Sequence, residues 1–199
     1  MSGRRFTVLD LFSAAAGGWS LGLHRAGFVT VAACEIVEWR RILYSENFPH
    51  VRIYDDVRTL TAARLVSDLG FLPDIVVGSP PGQDISVANT KGRGVDGERS
   101  GLFFEAVRLV GDCRPRWFAG LAGHLRMDDG VSAWVAGTRI ALGSRKGTSA
   151  ASLIVEAFGD AVLPQIPEAI GRAILRTEAA LNMVLAAFPD GVSDDRDAP

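Results

Sequence analysis

The residues best placed to do chemistry cluster in the first third of the chain. The small-residue turn AAAGGWSLG, residues 14–22, links an apolar run to a helix-like stretch, and Glu35 ends the next apolar run. In a nucleotide-type fold such a turn lets a ligand approach the backbone, the helix start offers N–H groups, and a carboxylate at the following strand end accepts bonds from ribose hydroxyls. Each feature also has a plain reading. Tight packing of a helix on a sheet selects small residues too, and a carboxylate at a strand end is often simply solvated. Asp55 and Asp56 close a third apolar run, either as turn residues or as a second acidic element on the edge where open α/β sheets bind ligands. Taken together, one carboxylate for a ribose and one for an exocyclic amine would suit an adenosine moiety.

Other candidates are less defined. The glycine-rich stretch after Pro80 carries Lys91, Arg93 and Arg99, which could meet phosphates, with Asp96 and Glu98 partly cancelling their charge. His24, His50 and His124 have no partners at ligand spacing and receive no function. Cys34 and Cys113 are the only cysteines and lie far apart, so neither a disulfide framework nor a zinc site is expected.

These residues need a scaffold that brings strand ends together, and the hydrophobic pattern predicts one. Phe6 to Phe12 reads as a buried strand, followed by a turn from Ser13 to Gly18 and a helix beginning at Trp19. Strands are expected at Phe28 to Ile36, Val51 to Val57 and Asp74 to Ser79, alternating with helices over 37–48 and 61–70. The polar segment Pro80 to Arg99 is longer than an ordinary connection, as functional loops are. A helix is predicted over 100–112 and a strand at Pro115 to Leu121; the pattern then degrades until Leu153. An amphipathic helix opened by proline closes the apolar part of the chain, and the acidic stretch from Asp190 is expected to be a disordered tail. This alternation implies an α/β fold with a mostly parallel sheet.

At 199 residues, 48% of them hydrophobic, one well-buried domain is expected. A formal charge of −2 neither supports nor excludes nucleic acid, because phosphate recognition depends on where Lys and Arg cluster. Asp10 interrupts the first apolar run before it reaches signal-peptide length, and no stretch has the length of a bilayer span. A soluble cytoplasmic protein is therefore expected.

In order along the chain, DLFSAAAGGWSLGL, ACEI, DDV, SPPGQDIS, SGLFFEAVRL and GDAVLPQIPEAIGRAI resemble successive motifs of the DNA (cytosine-5) methyltransferases. The resemblance runs from Val8 to about Trp117 and again from about Leu153 to Ile174. It implies a three-layer, Rossmann-like fold that binds S-adenosylmethionine and acts on DNA, as in restriction-modification systems. By that resemblance Phe12, Gly17 and Gly18 border S-adenosylmethionine, Glu35 holds its ribose and Asp56 its adenine amine. Pro80, Leu102, Asp160, Ala161 and Val162 complete the pocket, with Trp39 a further candidate beside the adenine. Ser86, Lys91, Arg93 and Arg99 fall in the loop that closes over a flipped cytosine and touches DNA phosphate.

The departures are specific. Where the family carries the cysteine whose thiolate adds to cytosine C6, this chain has Gly82, followed by Gln83. The family's Glu-Asn-Val motif, whose carboxylate binds and protonates the cytosine, is replaced by Trp117 to Leu121. The arginine motif and the large target-recognition region have no counterpart, and Asp160 replaces an asparagine. The expected organisation is a cofactor-binding domain over 1–118, a truncated remnant over 119–152, a segment over 153–188 completing the same domain, and a tail over 189–199. The expected function is that of a methyltransferase homologue whose methyl transfer to C5 is impaired or lost. Its DNA binding would be weak and non-specific. The alternative is a non-catalytic S-adenosylmethionine- or DNA-binding protein, or one part of a split methyltransferase with a complementing chain.

Overall fold

The computed structural model describes residues 4–80, 101–120 and 162–187. Five strands form one sheet: β1 (Thr7–Leu11), β2 (Val29–Cys34), β3 (Arg52–Tyr54), β4 (Ile75–Gly78) and β5 (Trp117–Gly120). Their order is β3-β2-β1-β4-β5 and every pairing is parallel. Helices α1 (Gly18–Ala26), α2 (Glu38–Asn47), α3 (Ala62–Leu69) and α4 (Gly101–Cys113) connect successive strands, and α5 (Gln165–Ala187) follows β5. The predicted α/β alternation is present, and each strand is shorter than its apolar run. The order turns between β1 and β4, so the connections leave on opposite sides there and open a crevice at the carboxyl ends of the strands.

Both faces of the sheet are covered, which is why the strands are apolar throughout rather than alternating. On one face Val8, Ile75 and Val77 pack with Trp19, Leu23 and Phe28 and with Ile174 of α5. On the other, Leu9, Leu11 and Val76 pack with Leu65, Leu109 and Cys113 from α3 and α4. Tyr44 of α2 packs with Ala33 of β2 and Val51. Among the described residues no helix is long and apolar enough to cross a membrane.

The C-terminal helix joins this core through close contact with α1. A Cβ on Gly18 would lie 2.0 Å from the Val162 carbonyl oxygen, and one on Gly22 would lie 2.2 Å from that of Pro164. From the other side, a Cβ on Gly171 would lie 2.8 Å from the Ala26 Cβ. Glycine at these three positions lets α1 lie as close as it does to α5 and to the segment leading into it. Further along, Glu178 of α5 accepts hydrogen bonds from Arg116 Nε and Trp117 Nε1, tying α5 to the start of β5.

Gly22→Ala is expected to destabilise the fold by about 1–3 kcal/mol, because the obstacle is backbone and cannot rotate away. Gly111→Ala on α4, where an added Cβ meets nothing within 4 Å, is expected to be neutral or stabilising by about 0.5–1 kcal/mol. Urea unfolding of the two variants checks the contrast.

Candidate functional site

All strands run the same way, so one edge of the sheet collects every carboxyl end. Phe12 to Gly17 follow β1, Glu35 follows β2, Asp55 and Asp56 follow β3, and Ser79 and Pro80 follow β4. The structure thus brings Phe12, Gly17, Gly18, Glu35, Asp56 and Pro80 to one edge. Val162 adjoins Gly18, and Leu102 lies in the first turn of α4, packed against the cluster of that face. Gly82, Gln83, Ser86, Lys91, Arg93, Arg99, Asp160 and Ala161 lie outside the described residues, as do 121–152 and the tail from 189.

The turn after β1 has an unusual backbone. Phe12, Ala14 and Gly17 all have left-handed φ values, of 57°, 53° and 55°. For the two residues with side chains, that conformation costs of order 1–3 kcal/mol and must be held by its surroundings. Two bonds to the end of β2 hold it: Ser13 N–H donates to the Cys34 carbonyl at 3.1 Å, and Ala14 N–H donates to Glu35 Oε2 at 3.1 Å. Gly17 is the N-cap of α1 and has no side chain with which to close the helix end. A Cβ there would come within 2.5 Å of the Phe48 ring and 2.8 Å of the Tyr44 ring. Protein contacts alone therefore require small residues at Gly17 and Gly18.

Glu35 is 5% exposed. Its second oxygen, Oε1, accepts the Val37 N–H at 2.9 Å, while Arg41 donates to the main-chain carbonyls of Glu35 and Ile36. Each carboxylate oxygen has room for a second donor. Asp56 is held differently. Its carboxylate pairs with the Arg58 side chain through both oxygens, and those bonds hold its pKa below the usual carboxylate value. A ligand amine at Asp56 would share that carboxylate with Arg58. Trp39 is half-buried, with the Arg40 guanidinium 5.4 Å from its ring centroid.

Sequence reasoning missed a buried polar chain beneath the turn. Asp10 of β1 is fully buried, and its Oδ2 accepts the Ser20 hydroxyl of α1 at 2.6 Å. Ser20 in turn lies 2.7 Å from the Tyr44 hydroxyl of α2. With Asp10 ionised, the Ser20 proton is committed to its carboxylate and Tyr44 donates to Ser20. Through the Ser20 hydroxyl, Asp10 ties the first turn of α1 to the strand. Among the described residues, Asp10 Oδ1 and Ser13 Oγ are buried without a hydrogen-bond partner. The sequence did hold a signal for this chain, an aspartate inside the apolar run FTVLDLF. Its partners on α1 and α2 carried none. Trp19 Nε1 donates to Ser79 Oγ at 3.0 Å and links α1 to the end of β4.

Burial pushes Asp10 from 3.8 up to about 7, the bonds from Ser20 partly offset this, and the charge of Glu35 adds to it. Burial likewise pushes the Cys34 thiol up to about 12, with Asp56, Glu35 and Asp55 reinforcing the shift, and it raises that of Cys113. Neither thiol is poised as a nucleophile. Among the described residues no group of His, Cys, Asp and Glu could hold a metal ion.

The family profile for C-5 cytosine-specific DNA methylases matches residues 6–119. The chain is similar to the type II methyltransferase M1.HphI of Haemophilus parahaemolyticus, 40% identical over 115 residues, covering 56% of this chain and 31% of that protein. Type II methyltransferase M.HgiGI of Herpetosiphon aurantiacus is 35% identical over 113 residues, covering 55% of this chain and 84% of that protein. Against M1.HphI and M2.BsuMI of Bacillus subtilis the chain spans 31% and 24% of their lengths. It is also similar to the crystal structure of a prophage-encoded protein (E. coli) assigned to the DNA modification methyltransferases. That likeness has a TM-score of 0.50 and 29% identity, covering 68% of this chain and 38% of the other.

The raised value at Asp10 fixes the sign of one pH effect. The protonated acid is favoured in the folded chain, so its contribution is fully present below 3.8 and is lost as pH rises through about 7. Asp10→Asn keeps an acceptor for Ser20 and does not titrate. The stability of the native chain minus that of Asp10→Asn is therefore expected to fall as pH rises across that window. Urea unfolding at a series of pH values measures it, and a flat difference would refute the assignment.

Proposed function

Because the chain belongs to the C-5 cytosine-specific DNA methylase family, we propose that it holds S-adenosylmethionine at the carboxyl edge of its sheet and does not by itself methylate cytosine C5. The observation that carries the binding half is the strained turn 12–17, gripped by the Glu35 carboxylate and opening into a helix end that Gly17 leaves without a side-chain cap. The donor set fits the ligand. The start of α1 suits a carboxylate, Glu35 has lone pairs left for ribose hydroxyls, and Asp56 can take an amine alongside Arg58. Phe12, Pro80, Leu102 and Val162 supply apolar surface, and Asp160 and Ala161 are assigned to the same pocket by their motif.

Bound S-adenosylmethionine supplies an activated methyl group. To use it, this family needs a nucleophile that makes cytosine C5 electron-rich, and Gly82 has no side chain to attack C6. The buried Cys34 and Cys113 thiols do not replace it. Any contact with DNA would come from Ser86, Lys91, Arg93 and Arg99 meeting phosphates, a mode that is weak and blind to sequence. A reducing cytoplasm is the setting that suits two unpaired thiols.

A second reading has its own support. The chain spans about a third of M1.HphI and has Trp117-Phe118-Ala119 where the family carries Glu-Asn-Val. One part of a split methyltransferase, with recognition and proton transfer supplied by a complementing chain, accounts for both departures.

Calorimetry with S-adenosylmethionine and S-adenosylhomocysteine tests the binding half. Glu35→Ala should weaken binding by about 1–3 kcal/mol through loss of charge-assisted bonds. Glu35→Gln, which can still accept at Oε1, should fall between that variant and the native chain. An absence of heat from the native chain at millimolar ligand would refute the reading. For the catalytic half, DNA containing 5-fluorocytosine should give no denaturation-resistant adduct with the native chain. Recovery of adduct and methyl transfer in Gly82→Cys would assign the defect to that one residue, whereas recovery of neither would assign it to the missing region.

A further inference from the structure

Three buried polar groups behind the candidate site have no part in the contacts proposed for the ligand. Asp10 of β1, Ser20 of α1 and Tyr44 of α2 are 0%, 1% and 0% exposed. They are joined in line, with Ser20 Oγ 2.6 Å from Asp10 Oδ2 and 2.7 Å from the Tyr44 hydroxyl oxygen. Each stands beside a residue of the site. Asp10 precedes Phe12 by two and Ser20 follows Gly18 by two, while Tyr44 packs on Ala33, two before Glu35. The polar link therefore crosses from one site-bearing element to the next, in an interior where a hydrogen bond is strengthened and an unmade one is costly.

This link fixes how the first turn of α1 is oriented. The first bond within α1 runs from the Leu21 N–H to the Gly17 carbonyl, at 2.8 Å, so the N–H groups of Gly18, Trp19 and Ser20 have no partner inside the helix. Apolar packing of α1 on the sheet and on α5 is close but not directional, whereas hydrogen bonds are. Those of Ser20 hold the turn to β1 on one side and to α2 on the other. The Tyr44 ring also closes on the N-cap. Its Cε2 would lie 2.8 Å from a Cβ at Gly17, and Phe48 packs against it with ring centroids 4.8 Å apart. In the turn itself the Ser13 hydroxyl is buried without a hydrogen-bond partner, as is Asp10 Oδ1 below it.

We propose that Asp10, Ser20 and Tyr44 are positioning residues that aim the first turn of α1 at the carboxylate of the ligand's amino-acid end, and so set affinity for ligands that carry this group. The proposal rests on the reading of the same edge as an S-adenosylmethionine site. The adenosine part is assigned there to Glu35 and Asp56, which are held by other groups: Glu35 by the Ala14 and Val37 N–H groups, and Asp56 by Arg58. Loss of the polar link loosens the support behind one end of the ligand and leaves the other in place.

Calorimetry of the full chain with S-adenosylhomocysteine, which has the amino-acid end, and with 5′-methylthioadenosine, which lacks it, tests this. Asp10→Ala should weaken S-adenosylhomocysteine binding about tenfold and 5′-methylthioadenosine binding less than about threefold. Asp10→Asn still accepts from Ser20 and should stay near the native chain for both ligands. Tyr44→Phe keeps the ring against Gly17 and removes only the hydroxyl, so it should cost about threefold, again confined to S-adenosylhomocysteine. If Asp10→Ala does not fold, Ser20→Ala and Tyr44→Phe carry the same comparison. Variants that weaken both ligands alike reveal a purely structural role and overturn the proposal, as do folded Ala variants with native affinities. A native chain that binds S-adenosylhomocysteine no better than 5′-methylthioadenosine overturns it too, while leaving the cofactor edge in place. Binding of neither ligand removes that reading and this proposal together.

Discussion

Two buried carboxylates beneath one turn hold the candidate site together. Glu35 grips Ala14 and Val37 through their N–H groups, fixing the turn after β1 against the end of β2. Asp10 accepts from Ser20 and so fixes the first turn of α1 against β1. Burying each carboxyl group costs desolvation, and each satisfies backbone or hydroxyl donors that would otherwise be buried without partners. The left-handed backbone at Phe12 and Ala14 persists for the same reason. Burial of the acids, strain in the turn and an open helix end are three aspects of a single arrangement.

That arrangement also explains why the C-terminal helix matters to a site formed largely by the first eighty residues. Gly18 begins α1, and Val162 lies against it so closely that no side chain would fit. The segment leading into α5 therefore borders the turn, and the packing of α5 along Gly22 and Gly171 sets where α1 sits on the sheet. The ties of Trp19 to Ser79 and of Glu178 to Arg116 and Trp117 extend this brace to β4 and β5. The edge that gathers the candidate site residues is thereby braced on several sides.

The likeness to the cytosine-5 methylases belongs to this braced part. The family match covers residues 6–119, which hold the sheet almost to the end of β5 together with its crevice and the turn.

The sequence by itself determined the alternation of strands and helices, the parallel sheet, and the gathering of Phe12, Glu35, Asp56 and Pro80 at one edge. Periodicity and strand order are local, and parallel connections place every carboxyl end on the same side. It also determined the lack of a nucleophile at residue 82, which needs no coordinates. Only the tertiary structure decided what the glycines are for. Gly18, Gly22 and Gly171 are small because α1 meets α5 and the segment leading into it there, and Gly17 lies over the Tyr44 and Phe48 rings. Only the fold joined Asp10 to Ser20 and Tyr44. These facts depend on which surfaces face one another across the core, and a pattern along one chain does not carry that information until the helices are packed.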